Sequence, residues 1–279
     1  MNTITASDVN ALRKQTGAGM MDCKKALVEA KGDSGKAIDI LRKKGQKIAA
    51  KRADRQATEG TVLSITNEKG SIGVLIALNC ETDFVAKNSD FITLTKKILN
   101  IALTNKPASL DELKALRFNE SITVEEKLTE QTGVIGEKIE LSSYELIEAE
   151  TVSSYVHGGN KLATLVGLNK SGGDALKQVA KEIAMQVAAM NPLGIDKNAI
   201  SEEIINKELE VAKDLARQEG KPEEMLEKIA LGRLGKFFKE NTLLNQQFIR
   251  DNKKSVSQYL SETEAGLSVS SFKRVGLGV

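Results

Sequence analysis

The sequence predicts an α+β protein, on three observations. Apolar residues recur at helical spacing through the first 55 residues, strand-type apolar runs begin near residue 60, and one stretch repeats at an offset of 90. The predicted architecture is a small three-helix N-terminal domain with a basic linker (1–55) and a core of two related α+β subdomains (56–145, and 146–200 with 241–279). An antiparallel helical hairpin (201–240) is inserted in the second subdomain.

In the first 55 residues Ser7 is placed to cap a helix carrying Val9 and Leu12, and Gly17 and Gly19 break it. Asp22 is placed to cap a second helix with Cys23, Ala26, Leu27 and Ala30 on its apolar side. Gly32-Asp33-Ser34 opens a third, which carries Ala37, Ile38 and Leu41 and runs into the basic tract Lys43 to Lys51. Next come a strand from Gly60 to Ile65, a turn at NEKG (67–70), an apolar strand from Ile72 to Leu78 and a helix from about Phe91 to Leu103. Loop and helix follow to about 130, and Ile135-Gly136 is expected to open a second strand region.

TVLSITNEKGSIGVLIALN (61–79) aligns without a gap on TVSSYVHGGNKLATLVGLN (151–169). Thr61, Val62, Ser64, Leu75, Leu78 and Asn79 have identical counterparts, so each copy reads as a β-hairpin followed by a helix, the second helix being Asp174 to Met190. Ile205, Leu209, Ala212 and Ala216, then Met225, Leu226, Ile229, Leu234, Phe237 and Phe238, give two helices around Gly220-Lys221-Pro222 an apolar seam. Beyond residue 241 only polar connections and a β-like piece, Leu267 to Phe272, are expected.

A chain of 279 residues is long enough for more than one domain, and 41% hydrophobic with 28% charged residues is a globular composition. Cys23 and Cys80 form no CxxC pair, which suggests neither zinc nor a disulfide framework and fits a reducing, cytoplasmic setting. No apolar run reaches a membrane span, and the start MNTITASDVN lacks a signal-peptide pattern, so no membrane association is expected. Residues 1 to 55 hold 13 basic against 6 acidic residues, a net +7, which leaves −5 for the remainder of a +2 chain. Such asymmetry fits either an acidic protein partner or nucleic acid.

Catalytic chemistry is poorly represented. Gly32-Asp33-Ser34-Gly35 looks like a serine-protease string, but Ser34 stands at a helix start, where a cap is the better reading. His157-Gly158-Gly159 has no G-x-S-x-G elbow to serve and falls on a hairpin turn, where a lone His reads as a polar surface residue. Neither phosphate-loop pattern is present, and Glu81 with Asp83, with no His beside them, makes a weak metal pair and a weak hydrolase. No catalytic residue, cofactor or metal is assigned, and the protein is expected not to be an enzyme. Phe84 stays open between two placements: an exposed tip, or a ring turned back over the helix at 91–103.

Leu12-Arg13 with TGAGMMDCKKAL (16–27), and NCETDFV (79–85), resemble the two signatures of the elongation factor Ts family, guanine nucleotide exchange factors for elongation factor Tu. The segment order is similar along nearly the whole chain. The resemblance implies a ubiquitin-associated-like N-terminal domain and a coiled-coil hairpin. It also implies partner contacts through Leu12, Arg13, Met20, Met21 and Lys24, through Ile135 and Gly136, and through His157. Thr82, Asp83, Phe84 and Val85 match the segment that dislocates magnesium from elongation factor Tu with GDP bound. The chain stops soon after the last core piece, so contacts made by a longer tail are not carried over. A homodimer or 2:2 complex through the core or hairpin is left open, and direct nucleic-acid contact is not expected. The alternative is a nucleic-acid-binding module using the basic first 55 residues, weakened by their few aromatics.

Overall fold

The protein is described by a computed structural model covering residues 4–278. It opens with three helices, α1 (Ala6–Thr16), α2 (Met20–Glu29) and α3 (Ser34–Lys51). Their caps lie before the residues the sequence suggested. Thr5 caps α1 in a reciprocal box, its hydroxyl accepting from the Asp8 amide at 3.2 Å while the Asp8 carboxylate accepts from the Thr5 amide at 2.9 Å. Ser7 is therefore inside the first turn. Gly19 precedes α2, and Asp22 lies in its first turn, paired with Lys44 at 2.5 Å. Asp33, rather than Ser34, caps α3 through the Lys36 amide at 3.0 Å. A capping side chain needs non-helical backbone of its own, and at Ser7, Asp22 and Ser34 the helix has already begun.

Strands β1 (Glu59–Thr66) and β2 (Ile72–Cys80) follow, then α4 (Asp83–Ala86), α5 (Ser89–Asn105), α6 (Leu110–Ala115), α7 (Val124–Ile135) and β3 (Glu140–Glu148). The sheet order is β1-β2-β3. Ile135 and Gly136 do not open a strand: Ile135 ends α7 and Gly136 caps it at φ +80°, donating to the Thr132 carbonyl at 2.9 Å. A left-handed glycine cap stops a helix, so β3 starts only at Glu140.

β4 (Thr151–Val156) and β5 (Leu162–Leu168) pair antiparallel, with Thr151 opposite Leu168, and α8 (Gly173–Met190) follows. The main-chain bonds of the two repeat turns match. Asn67 N donates to Ile72 O at 2.9 Å and Gly70 N to Asn67 O at 3.0 Å. At the offset of 90, His157 N donates to Leu162 O at 2.8 Å and Asn160 N to His157 O at 3.1 Å. Gly70 and Asn160 both take positive φ, +69° and +56°.

α9 (Glu202–Gln218) and α10 (Glu223–Asn241) form the helical hairpin, whose buried seam is Ala212, Ala216, Leu226 and Ala230, with Met225 exposed. The expected polar tail holds more structure than the sequence suggested: β6 (Gln247–Phe248), β7 (Asp251–Ser255) and α11 (Val256–Thr263) precede β8 (Val269–Gly276). β8 is the third strand of the sheet β4-β5-β8. The eight residues of α11 bury only Val256 and Leu260, too few to show as a period, although Ser255 and Gln258 form its capping box.

Two compact units result. Among the described residues the first comprises 4–63, Ile76–Tyr144 and 276–278, and the second Ser64–Leu75 and Glu145–Val275. In the first, Val9, Leu12, Cys23, Ala26, Leu27 and Ala37 form a small core that Val134 of α7 also packs against. In the second, Val166, Ile183, Val187, Leu243, Phe248 and Leu260 share one core, with Phe248 stacked on Tyr259 at 4.2 Å between ring centres. No helix among the described residues is long and apolar enough to cross a membrane.

Candidate protein-docking site

Strand β2 ends at Cys80, and two carboxylates fix the corner that follows by reaching across it in opposite directions. Glu137 Oε2 accepts from the amides of Glu81 and Thr82 at 3.1 and 3.0 Å, and its Oε1 accepts from the Thr82 hydroxyl at 2.7 Å. In return Glu81 Oε1 accepts from the Lys138 amide at 2.6 Å, while Arg52 Nη1 donates to both Glu81 oxygens at 2.8 and 2.9 Å. The Lys138 amide and then Arg52 hold the Glu81 carboxyl below its ordinary range, against the opposing effect of burial. Burial and the neighbouring Glu137 charge push the Cys80 thiol up to about 12. Arg52, Glu81 and Glu137 were missed as parts of the site. Only the adjacency of Glu137 to Ile135-Gly136 hinted at it, since a contact between positions 56 apart leaves no local pattern.

From this corner Thr82 caps α4, its backbone extended and its hydroxyl accepting from the Val85 amide at 3.4 Å. Asp83 is half-buried and pairs with Lys87 one turn on at 2.6 Å. Thr61 donates to the Ala86 carbonyl at 3.1 Å, and Ala86 is the buried residue of the helix. Phe84 points away and is 84% exposed, whereas Phe91 on α5 is the phenylalanine that enters the core. The open question about Phe84 is thereby answered: it is the tip. Val85 is half-buried beside it.

Ile135 and Gly136 stand directly before Glu137, and a β-carbon on Gly136 would meet nothing within 4 Å. The last turn of α7 also meets the N-terminal helices, because Val134 packs against their core and lies 4.0 Å from where a Gly17 β-carbon would be. The TGAG motif shapes that neighbourhood. Thr16 Oγ1 donates to Leu12 O at 2.8 Å and accepts from Ala18 N at 3.2 Å, and Cys23 Sγ donates to Ala18 O at 3.5 Å. α2 is thus held with Met20 and Met21 outward, at 53% and 63% exposure. Arg13 and Lys24 are exposed too, as is Val28, which continues the Met20 and Lys24 spacing of four and was not singled out in the sequence. Leu12 is 2% exposed in the core of the N-terminal helices, so it lies beneath that surface rather than on it.

His157 lies in the second unit, exposed at the β4–β5 turn, with Nδ1 2.9 Å from the Tyr155 hydroxyl. Within the first unit the geometry therefore joins three of the four expected contact segments through α7. Among the described residues no group of three or more His, Cys, Asp and Glu side chains could hold a metal ion.

Residues 81–279 match the family model "Elongation factor TS". The chain is 55% identical to Elongation factor Ts of Christiangramia forsetii, covering 100% of both chains, and 54% identical to that of Amoebophilus asiaticus, covering 99% of both. It is 48% identical to the Porphyromonas gingivalis protein of the same name over 98% of both. Similarity of this extent defines a translation elongation factor by class. More particularly, the chain belongs to the elongation factor Ts family.

Proposed function

We propose that this chain is a guanine nucleotide exchange factor that binds elongation factor Tu in its GDP form. In this reading Thr82 to Val85 act as a wedge that disturbs the magnesium and phosphate site, GDP leaves, GTP binds, and translation elongation is sustained. Arg13, Met20, Met21 and Lys24 dock on the partner together with Ile135, Gly136 and His157, and Leu12 holds α1 beneath them. The module 1–55, the subdomains 56–145 and 146–200 with 241–279, and the hairpin 201–240 are the working parts. No bond of the nucleotide is made or broken by the protein.

The observation that carries this reading is an exposed aromatic on a braced corner. Leaving Phe84 at 84% exposure forgoes roughly 2 kcal/mol of burial, a cost recovered when the ring enters a pocket in another protein. A nucleotide held through phosphate contacts and a magnesium ion loses several of them together when one element of its site shifts. Accelerating release about ten-thousandfold requires roughly 5.5 kcal/mol of differential stabilisation. One side chain cannot supply that, which is why a wide interface through α2, the end of α7 and the β4–β5 turn backs the wedge.

Stopped-flow release of fluorescent GDP from purified elongation factor Tu tests the reading. Release should accelerate with added chain, and excess GDP should weaken the complex by the same coupling. A release rate independent of the chain would rule the function out.

A further inference from the structure

We propose that Glu137 is a positioning residue for Phe84, coupling the end of α7 to the wedge so that both move as one piece. This rests on the exchange reading above. A helix of four residues has no stability of its own, so the direction of α4 is set by its fastenings: the Thr61 hydroxyl on the Ala86 carbonyl at its end, and the residue that starts it. That residue is Thr82, and one carboxylate holds both its amide and its hydroxyl, together with the preceding amide of Glu81. Hydrogen bonds to an ionised acceptor are about twice as strong as neutral ones, and the two at Thr82 with the one at Glu81 fix this stretch as a body rather than at a single atom. Phe84 follows two residues later with only the 3.4 Å cap bond and its own short turn between.

The carboxylate stands next to Gly136, where α7 has just ended. A partner pressing on Ile135 and Gly136 therefore moves Glu137, and Glu137 moves Thr82. The reverse link, from Glu81 to the Lys138 amide, brackets the same peptide from its other side and removes the slack. Residues 81–82 and 137–138 thus form a closed loop of bonds in which neither segment shifts alone.

The test is a double-mutant cycle on the full chain, read by GDP release. Glu137→Ala should slow exchange roughly tenfold or more, the scale of losing bonds to a charged acceptor. Glu137→Gln, which keeps an acceptor for the two amides, should recover most of the rate. With Phe84→Ala already present, Glu137→Ala should change the rate by less than about twofold, because residues acting through one another are not additive. Multiplying effects would overturn the proposal and leave Glu137 a merely structural residue. Amide hydrogen exchange on the free chain gives a reading independent of the partner: Val85, Ala86 and Lys87 should exchange faster in Glu137→Ala while α5 is unchanged. Unchanged exchange at α4 overturns the positioning role. A parent chain that fails to release GDP counts against the exchange reading alone, since the amide result still judges Glu137.

Discussion

Gly45 on α3 and Gly133 on α7 meet backbone to backbone: a β-carbon on Gly133 would lie 2.5 Å from the Gly45 Cα. Neither glycine is needed for a left-handed conformation, so the absence of a side chain serves close approach. Gly133→Ala should separate the helices at a cost of roughly 1–3 kcal/mol, lower the urea midpoint and expose residues 52–57 to protease. Gly235→Ala, whose β-carbon meets nothing within 4 Å, should instead gain about 0.5–1 kcal/mol. Equal midpoints for parent and Gly133→Ala would show that α3 and α7 do not stay packed in solution.

Phe84→Ala should slow GDP release at least roughly tenfold, on the scale of an interface anchor, with no loss of melting temperature because so little of the ring is buried in the free chain. Asp83→Ala should slow it as well, and should also free Lys87 from its partner. Parent rates in the two variants would remove this pair from the mechanism, while a large drop in melting temperature would mean that the corner depends on them structurally.

Acid should loosen the same corner. The Lys138 amide and Arg52 lower the Glu81 carboxyl, so in the folded chain it stays ionised to a lower pH than in the unfolded one. Its contribution is present above the ordinary value of 4.5 and is lost as pH falls through the lower folded value. Glu81→Gln should therefore be less stable than the parent near neutral pH, the gap closing below about pH 4.5. Urea midpoints across that range measure it, and a gap independent of pH would contradict the assignment.

Cys80 should resist alkylation. Its thiol is buried, pushed up to about 12, and donates to the Thr82 carbonyl at 3.1 Å, so almost no thiolate exists at neutral pH. Iodoacetamide near pH 8 should modify it only after denaturation. Rapid labelling of the native chain would show that the corner opens.

Local chemistry was legible and long-range chemistry was not. Gly breaks marked the three N-terminal helices, apolar runs marked the strands, and the offset of 90 anticipated turns whose main-chain bonds match. Phe84 could be singled out from its neighbours, but its exposure follows from Ala86 and Phe91 taking the inward positions, which spacing alone leaves undecided. The Glu81 and Glu137 crossing joins segments 56 positions apart, and Leu12 belonged to a signature while serving the core. Such roles are fixed by tertiary contact, and a linear pattern carries no trace of them.

The repeated turn has a consequence for how a duplicated piece is used. At the first copy Gly70 is buried and a β-carbon on it would sit 2.7 Å from the Lys177 side chain, while Glu68 and Lys69 before it are exposed. At the second, β-carbons on Gly158 and Gly159 would meet nothing within 4 Å. One backbone loop, drawn twice, thus rests against α8 at its last residue in the first copy and carries two bare glycines at its tip in the second. The main-chain bonds are common to both, but the first copy adds Asn67 Oδ1 accepting from the Ser71 and Ile72 amides at 2.9 and 3.1 Å, whereas His157 in the same place turns its ring to the Tyr155 hydroxyl.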